Sequence, residues 1–108
     1  MFTVQLEDKI KEIGGKPWTP VDVVRFNGQI IRLALFKGEY HWHKHIDEDE
    51  VFYVLKGELT IQMKDRPSIT LHEGEFAVVP KGVEHCPKSP VDTYVLMIEP
   101  YSPRSKGD

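Results

Sequence analysis

Apolar and polar residues alternate along most of this chain, which is the two-residue period of half-buried strands. Val21 to Phe26 runs into Asn27-Gly28, a hairpin signal because both central residues of a type I′ turn need positive φ. Ile30 to Phe36 follows, with Ile31, Leu33 and Leu35 on one face and Arg32, Ala34 and Phe36 on the other, and Gly38 punctuates it. Further strands are predicted at Glu50 to Lys56, Glu58 to Lys64, Ser68 to His72, Phe76 to Val79, Val83 to Cys86 and Val91 to Ile98. Turn residues separate them: Gly57, Asp65-Arg66-Pro67, Glu73-Gly74 and Pro80-Lys81-Gly82. Short strands with a turn between each predict a sandwich or barrel.

The period changes only near the start. Over residues 5–13, Leu6, Ile10 and Ile13 recur at helical spacing, Glu7 and Asp8 occupy the first turn, and Gly14-Gly15 ends the run. One short helix is expected there. The whole chain, 1–108, reads as a single domain: an N-terminal helix and arm over 1–19, a barrel over about 21–100, and a loosely held tail over 101–108.

Composition narrows the function classes. Seventeen acidic against fourteen basic residues leave −3, and the bases are scattered, so no nucleic-acid partner is expected. No apolar run approaches the ~20 residues of a membrane helix, so no membrane partner is expected either. The single cysteine, Cys86, excludes a disulfide framework and a CxxC site, and a reducing cytoplasm is the expected location. Against this background one detail stands out: of five histidines, His41, His43 and His45 fall within five positions.

On an extended segment His43 and His45 project to the same side, so their imidazoles could share an ion. Glu50 starts the next strand after the acidic turn Asp47-Glu48-Asp49, and His85 follows the Pro-x-Gly turn. Imidazole and carboxylate donors together suit Mn(II), Fe(II), Ni(II), Cu(II) or Zn(II) without selecting one. Read separately, the H-x-H pair is equally the polar face of a strand, and the acidic run a solvated turn.

The longer pattern is more specific. Gly38 to Gly57 contains H-x-H, four residues, E, six residues, G; Gly74 to His85 reads G, five residues, P-x-G, two residues, H. Together these resemble the two signature motifs of the cupin superfamily, with sixteen residues, Glu58 to Glu73, between them. The chain is also similar to compact cupins carrying W-H-x-H, D-E-x-F-x-V-L-x-G and V-P-x-G-V-E-H, often described as mannose-6-phosphate isomerase-like. That label marks kinship of fold and not an activity.

The resemblance implies a double-stranded β-helix, or jelly-roll, barrel. It also implies one divalent transition metal on His43, His45, Glu50 and His85, with coordination positions left open for water or substrate. Two departures accompany it: only four residues separate Gly38 from His43 where five are common, and Ser89 stands where the family often has asparagine.

Phe52 and Val54 share the parity of Glu50 and are expected to line the pocket. His41 is a candidate for proton transfer, or else a rim histidine. Which parity of 30–36 and 91–98 faces inward is open, so Arg32, Phe36, Tyr94, Leu96, Met97 and Ile98 are all candidates. Val51, Tyr53 and Leu55 point the other way and need cover, for which a second copy of the chain is expected.

The expected ligand is a small oxygen-bearing organic molecule. An isomerase, epimerase or lyase would polarise its oxygens and move a proton; a dioxygenase would bind O2 beside it. The alternative is a non-catalytic metal- or ligand-binding sensor.

Overall fold

In the computed structural model, which describes residues 1–101, the chain forms one helix and seven strands. The helix α1 (Leu6–Ile13) is followed by β1 (Val21–Phe26), β2 (Gln29–Glu39), β3 (Glu50–Lys56), β4 (Glu58–Met63), β5 (Arg66–His72), β6 (Phe76–Val79) and β7 (His85–Pro100). The sequence places α1 and its end correctly: Gly14 adopts φ 62°, and its N–H bonds the Ile10 carbonyl. Apart from Tyr101, the tail expected over 101–108 lies outside the described residues.

The strands pair antiparallel in the order β1-β2-β7-β3-β6, with β4 bridging β5 and β7. They form a jelly-roll barrel. Its interior holds Ala34, Phe36, Phe52, Val54, Val95 and Met97 among others.

Two expectations are corrected. Val83–Cys86 and Val91–Ile98 are not separate strands, because His85–Pro100 is one continuous strand through Pro87 and Pro90. It accommodates Pro90 because its partner changes along its length. His85–Lys88 pairs with β4 and Tyr94–Ile98 with β3, so Pro90 sits at the hand-over and interrupts neither ladder. Gly38 does not end its strand either; it sits inside β2 at φ 76°, beside a shift of register against β7.

A second cluster lies outside the barrel. Ile13 and Ile10 of α1 pack over Leu33 and Leu35, with Leu55, Tyr94 and Leu96 around them. The helix thus covers part of the face assigned to a second copy of the chain. Val51 and Tyr53 remain half-buried, Tyr53 against the ring of Phe76 at 4.5 Å. Among the described residues no helix is long and apolar enough to cross a membrane.

Between α1 and β1 an arm crosses the barrel mouth. Trp18 donates its main-chain N–H to the Leu35 carbonyl (2.8 Å) and its Nε1–H to the Lys37 carbonyl (3.0 Å). These bonds clip the arm to β2 and hold the indole against Phe36.

Candidate metal centre

His43, His45, Glu50 and His85 come together in space, with one potential donor atom from each lying within 4.8 Å of all the others. Two donors on opposite sides of one ion sit about 4 Å apart, so only a small contraction would bring all four onto an ion. Their positions follow from the chain. Residues 40–49 form no strand and bend at Ile46 and Asp47, and within them His43 makes an isolated bridge with His85. The Pro80-Lys81-Gly82 turn is tied down from both sides. Gly82 donates to the His45 carbonyl (2.7 Å), and Lys81 donates its main-chain N–H to Asp49 Oδ1 (2.9 Å).

Two rings are oriented by main-chain carbonyls. Nδ1 of His43 lies 3.0 Å from the His41 carbonyl, and Nδ1 of His85 lies 2.9 Å from the Val83 carbonyl. A carbonyl only accepts, so both Nδ1 atoms carry the proton and both Nε2 lone pairs are left for the cluster. His41 thus touches the site through its carbonyl, and its ring also meets the His43 ring edge-on, with centroids 5.4 Å apart. Its imidazole is exposed and stacked on Tyr40, with ring centroids 3.9 Å apart.

Glu50 is 5% exposed, and its Oε1 faces Nε2 of His45 at 3.1 Å and of His85 at 3.6 Å. Burial pushes the carboxyl upward, but His45 and His85, when they carry a proton on Nε2, outweigh it and hold Glu50 down at about 2. His43 is shifted below its ordinary value by burial, against the opposing bond to the His41 carbonyl.

A cavity opens beside the cluster, with His43 and Glu50 on one side. Ala34, Phe36, Phe52 and Met97 form its apolar lining, and Trp18 and Tyr40 stack at 4.7 Å along it. Phe52 lines this cavity. Val54 does not: it is fully buried in the core and does not line the cavity.

The open question of parity is answered by the same cavity. Arg32, Phe36 and Met97 face inward; Tyr94 and Leu96 pack outward against the helix-covered face. Glu99, two residues beyond Met97, also lines the cavity and was not among the sequence candidates. Its Oε1 accepts a hydrogen bond from Nη1 of Arg32 at 3.0 Å. Burial raises its carboxyl to about 7, nearby Glu50 adds to this, and Arg32 opposes it. The signal was an acid in phase with Val95 and Met97 on an apolar strand. Trp18 and Tyr40, likewise not singled out, carried no local signal.

Cys86 and His72 lie apart from the cluster, Cys86 buried and His72 exposed between Glu58 and Glu75. Ser89 is buried opposite Gly38, and its hydroxyl has no hydrogen-bond partner among the described residues.

Comparison with known proteins agrees with this architecture. Residues 34–101 match the family model described as the cupin domain. The Bacillus subtilis (strain 168) protein YdbB, itself uncharacterised, is 45% identical over 73 residues, covering 68% of this chain. The match spans 65% of that relative's own length. Among solved structures, a cupin-2 domain containing protein from Shewanella frigidimarina NCIMB 400 is 37% identical with a TM-score of 0.86, covering 92% of this chain and 95% of that one. Protein NMB1881 from Neisseria meningitidis is 33% identical with a TM-score of 0.84, covering 93% and 100%.

Proposed function

This chain belongs to the cupin family, and from that premise we propose that it is a metal-dependent cupin acting on a small oxygen-bearing organic molecule. One divalent transition ion would be held by His43, His45, Glu50 and His85. The observation that carries this reading is a convergence: Glu50 Oε1 and His85 Nε2 are buried, face one another at 3.6 Å, and make no well-aligned hydrogen bond among the described residues. A buried polar atom left unpaired costs about 1–3 kcal/mol, and a cation between them would satisfy both at once. Three imidazoles and one carboxylate fit Mn(II), Fe(II), Ni(II), Cu(II) or Zn(II).

Such an ion supplies Lewis-acid polarisation of an oxygen bound beside it. The chain supplies the rest. The carbonyls of His41 and Val83 fix two ring orientations, and Phe36, Phe52, Ala34 and Met97 keep water from one side of the bound molecule. Trp18 and Tyr40 offer a flat surface for its apolar face. Isomerase, epimerase or lyase chemistry, in which a proton moves next to a polarised oxygen, suits this cavity.

Elemental analysis of protein purified without a metal-affinity tag tests the reading. Wild type is expected to carry, or take up, about one equivalent of a transition metal, and the Glu50→Ala plus His85→Ala variant far less. A wild type that can be neither isolated with metal nor loaded overturns it. Turnover that persists without oxygen supports the isomerase or lyase class, and strict oxygen consumption supports a dioxygenase.

A further inference from the structure

The cavity has a second polar pole besides the four-residue cluster. Arg32 on β2 is held by Asp22 of β1 through Nε (3.2 Å) and by Glu99 of β7 through Nη1 (3.0 Å). Arg32 and Glu99 are both largely buried and both line the cavity that also contains His43 and Glu50. The β3–β7 ladder fixes where this pole lies. Val51 pairs with Ile98 as the last rung of that ladder, so Glu50 and Glu99 are the next residues along the two strands, and both line the cavity. Two buried carboxylates thus stand side by side across two strands, Glu50 turned to imidazoles and Glu99 to a guanidinium.

An ion pair in such a place is poorly explained by stability, because desolvation cancels most of the attraction. Asp22 already satisfies Arg32 from the outside, where its own side chain is more than half exposed. The carboxylate on the cavity side is therefore surplus to holding the arginine. An ionised carboxylate accepts hydrogen bonds and donates none, so it suits a ligand that offers hydroxyl hydrogens. Trp18 and Tyr40 add a platform on which the C–H face of such a ligand can lie.

We infer that Glu99, held in place by Arg32, is a specificity residue that accepts a hydrogen bond from a hydroxyl of the ligand, so that the cavity selects a small polyhydroxylated acid over a plain hydroxy acid. The ligand's carboxylate and adjacent oxygen reach the four-residue cluster; a hydroxyl further along its chain meets Glu99. This assignment rests on the metal reading above, and the test separates the two.

Full-length protein is loaded with Co(II), whose visible bands report changes at the ion, and titrated at pH 8.5 with lactate, threonate and gluconate. That pH lies above the value of about 7 to which burial lifts Glu99. Failure to take up Co(II) overturns the metal reading itself. With Co(II) bound, wild type is expected to bind threonate or gluconate at least about tenfold more tightly than lactate, as a hydrogen bond to a charged acceptor allows. Glu99→Gln keeps shape but loses the charge. It is expected to shrink that advantage to threefold or less while leaving Co(II) stoichiometry and lactate affinity unchanged. Arg32→Gln, which releases Glu99, serves as the second variant and is expected to lose the same advantage. The assignment is overturned if wild type shows no preference for either sugar acid, including by binding neither. It is equally overturned if the preference survives in both variants.

Discussion

His43 and His85 exchange both main-chain hydrogen bonds, at 3.0 and 2.8 Å, and hold their rings 4.3 Å apart between centroids. The loop before β3 is thereby joined to the start of β7 by the backbone itself. That bridge brings two of the four side chains together; the bond from Gly82 to the His45 carbonyl and the pairing of Glu50 with Val79 place the other two.

The metal-free protein should accordingly stay folded. Chelation is expected to leave the far-ultraviolet strand spectrum unchanged while lowering Tm. An ion present at 100 times its Kd stabilises by about 2.7 kcal/mol, and a domain of this size shifts by roughly 4–8 °C per kcal/mol. A fall in Tm of about 10 °C or more is therefore expected by circular dichroism. Loss of the strand signal on chelation would mean the bridge is insufficient.

Acid should destabilise the metal-free protein in two stages. Burial lowers His43 below its ordinary value of 6.5, so the unfolded state binds that proton more readily and stability declines as pH falls through the unfolded value. Glu50 is held at about 2 against an ordinary 4.5, so its contribution is complete above 4.5 and is lost as pH falls toward 2. Urea midpoints measured from pH 8 to pH 3 should show both declines, and Glu50→Gln should remove the second.

Gly57→Ala should be among the costliest single substitutions. The residue sits at φ 100°, and a Cβ there would come within 2.8 Å of the Asp92 carbonyl oxygen, on the stretch of β7 that hands over from β4 to β3. Backbone strain of this kind costs about 1–3 kcal/mol before the clash is added. A loss of at least about 2 kcal/mol is expected by urea unfolding, with reduced strand content if the turn cannot adjust.

Ile13→Ala tests the helix as a lid on the outer face. Ile13 is buried against Leu33 and Leu35, and truncating such a residue costs about 2–5 kcal/mol. Stability should fall by that amount, while metal stoichiometry stays at the wild-type value because the inward face is untouched. A parallel loss of metal would show that the two faces are coupled.

The residues of the cluster were readable in the sequence because each sits in a short motif with its own turn chemistry. The second pole was only half legible, Arg32 standing among the pocket candidates and Glu99 not. Arg32 and Glu99 are 67 positions apart, and neither carries a motif. The parity that would have revealed them is blurred because β2 is buried on both faces: Ala34 and Phe36 face the barrel, Leu33 and Leu35 the helix. A strand covered on both sides loses its alternation. The continuity of β7 was hidden for another reason. Pro87 and Pro90 read locally as breaks, but Pro87 pairs with Ile61 inside the β4 ladder and Pro90 falls where the partner changes from β4 to β3.

The arm that carries Trp18 has a consequence for how this cavity can change. Its wall is fastened to β2 by two hydrogen bonds, and it belongs to a stretch of chain that precedes every residue of the metal cluster. Replacing the arm would reshape the mouth without altering a metal donor or a barrel strand. That part of the cavity wall can thus vary while the four clustered side chains stay where the barrel puts them.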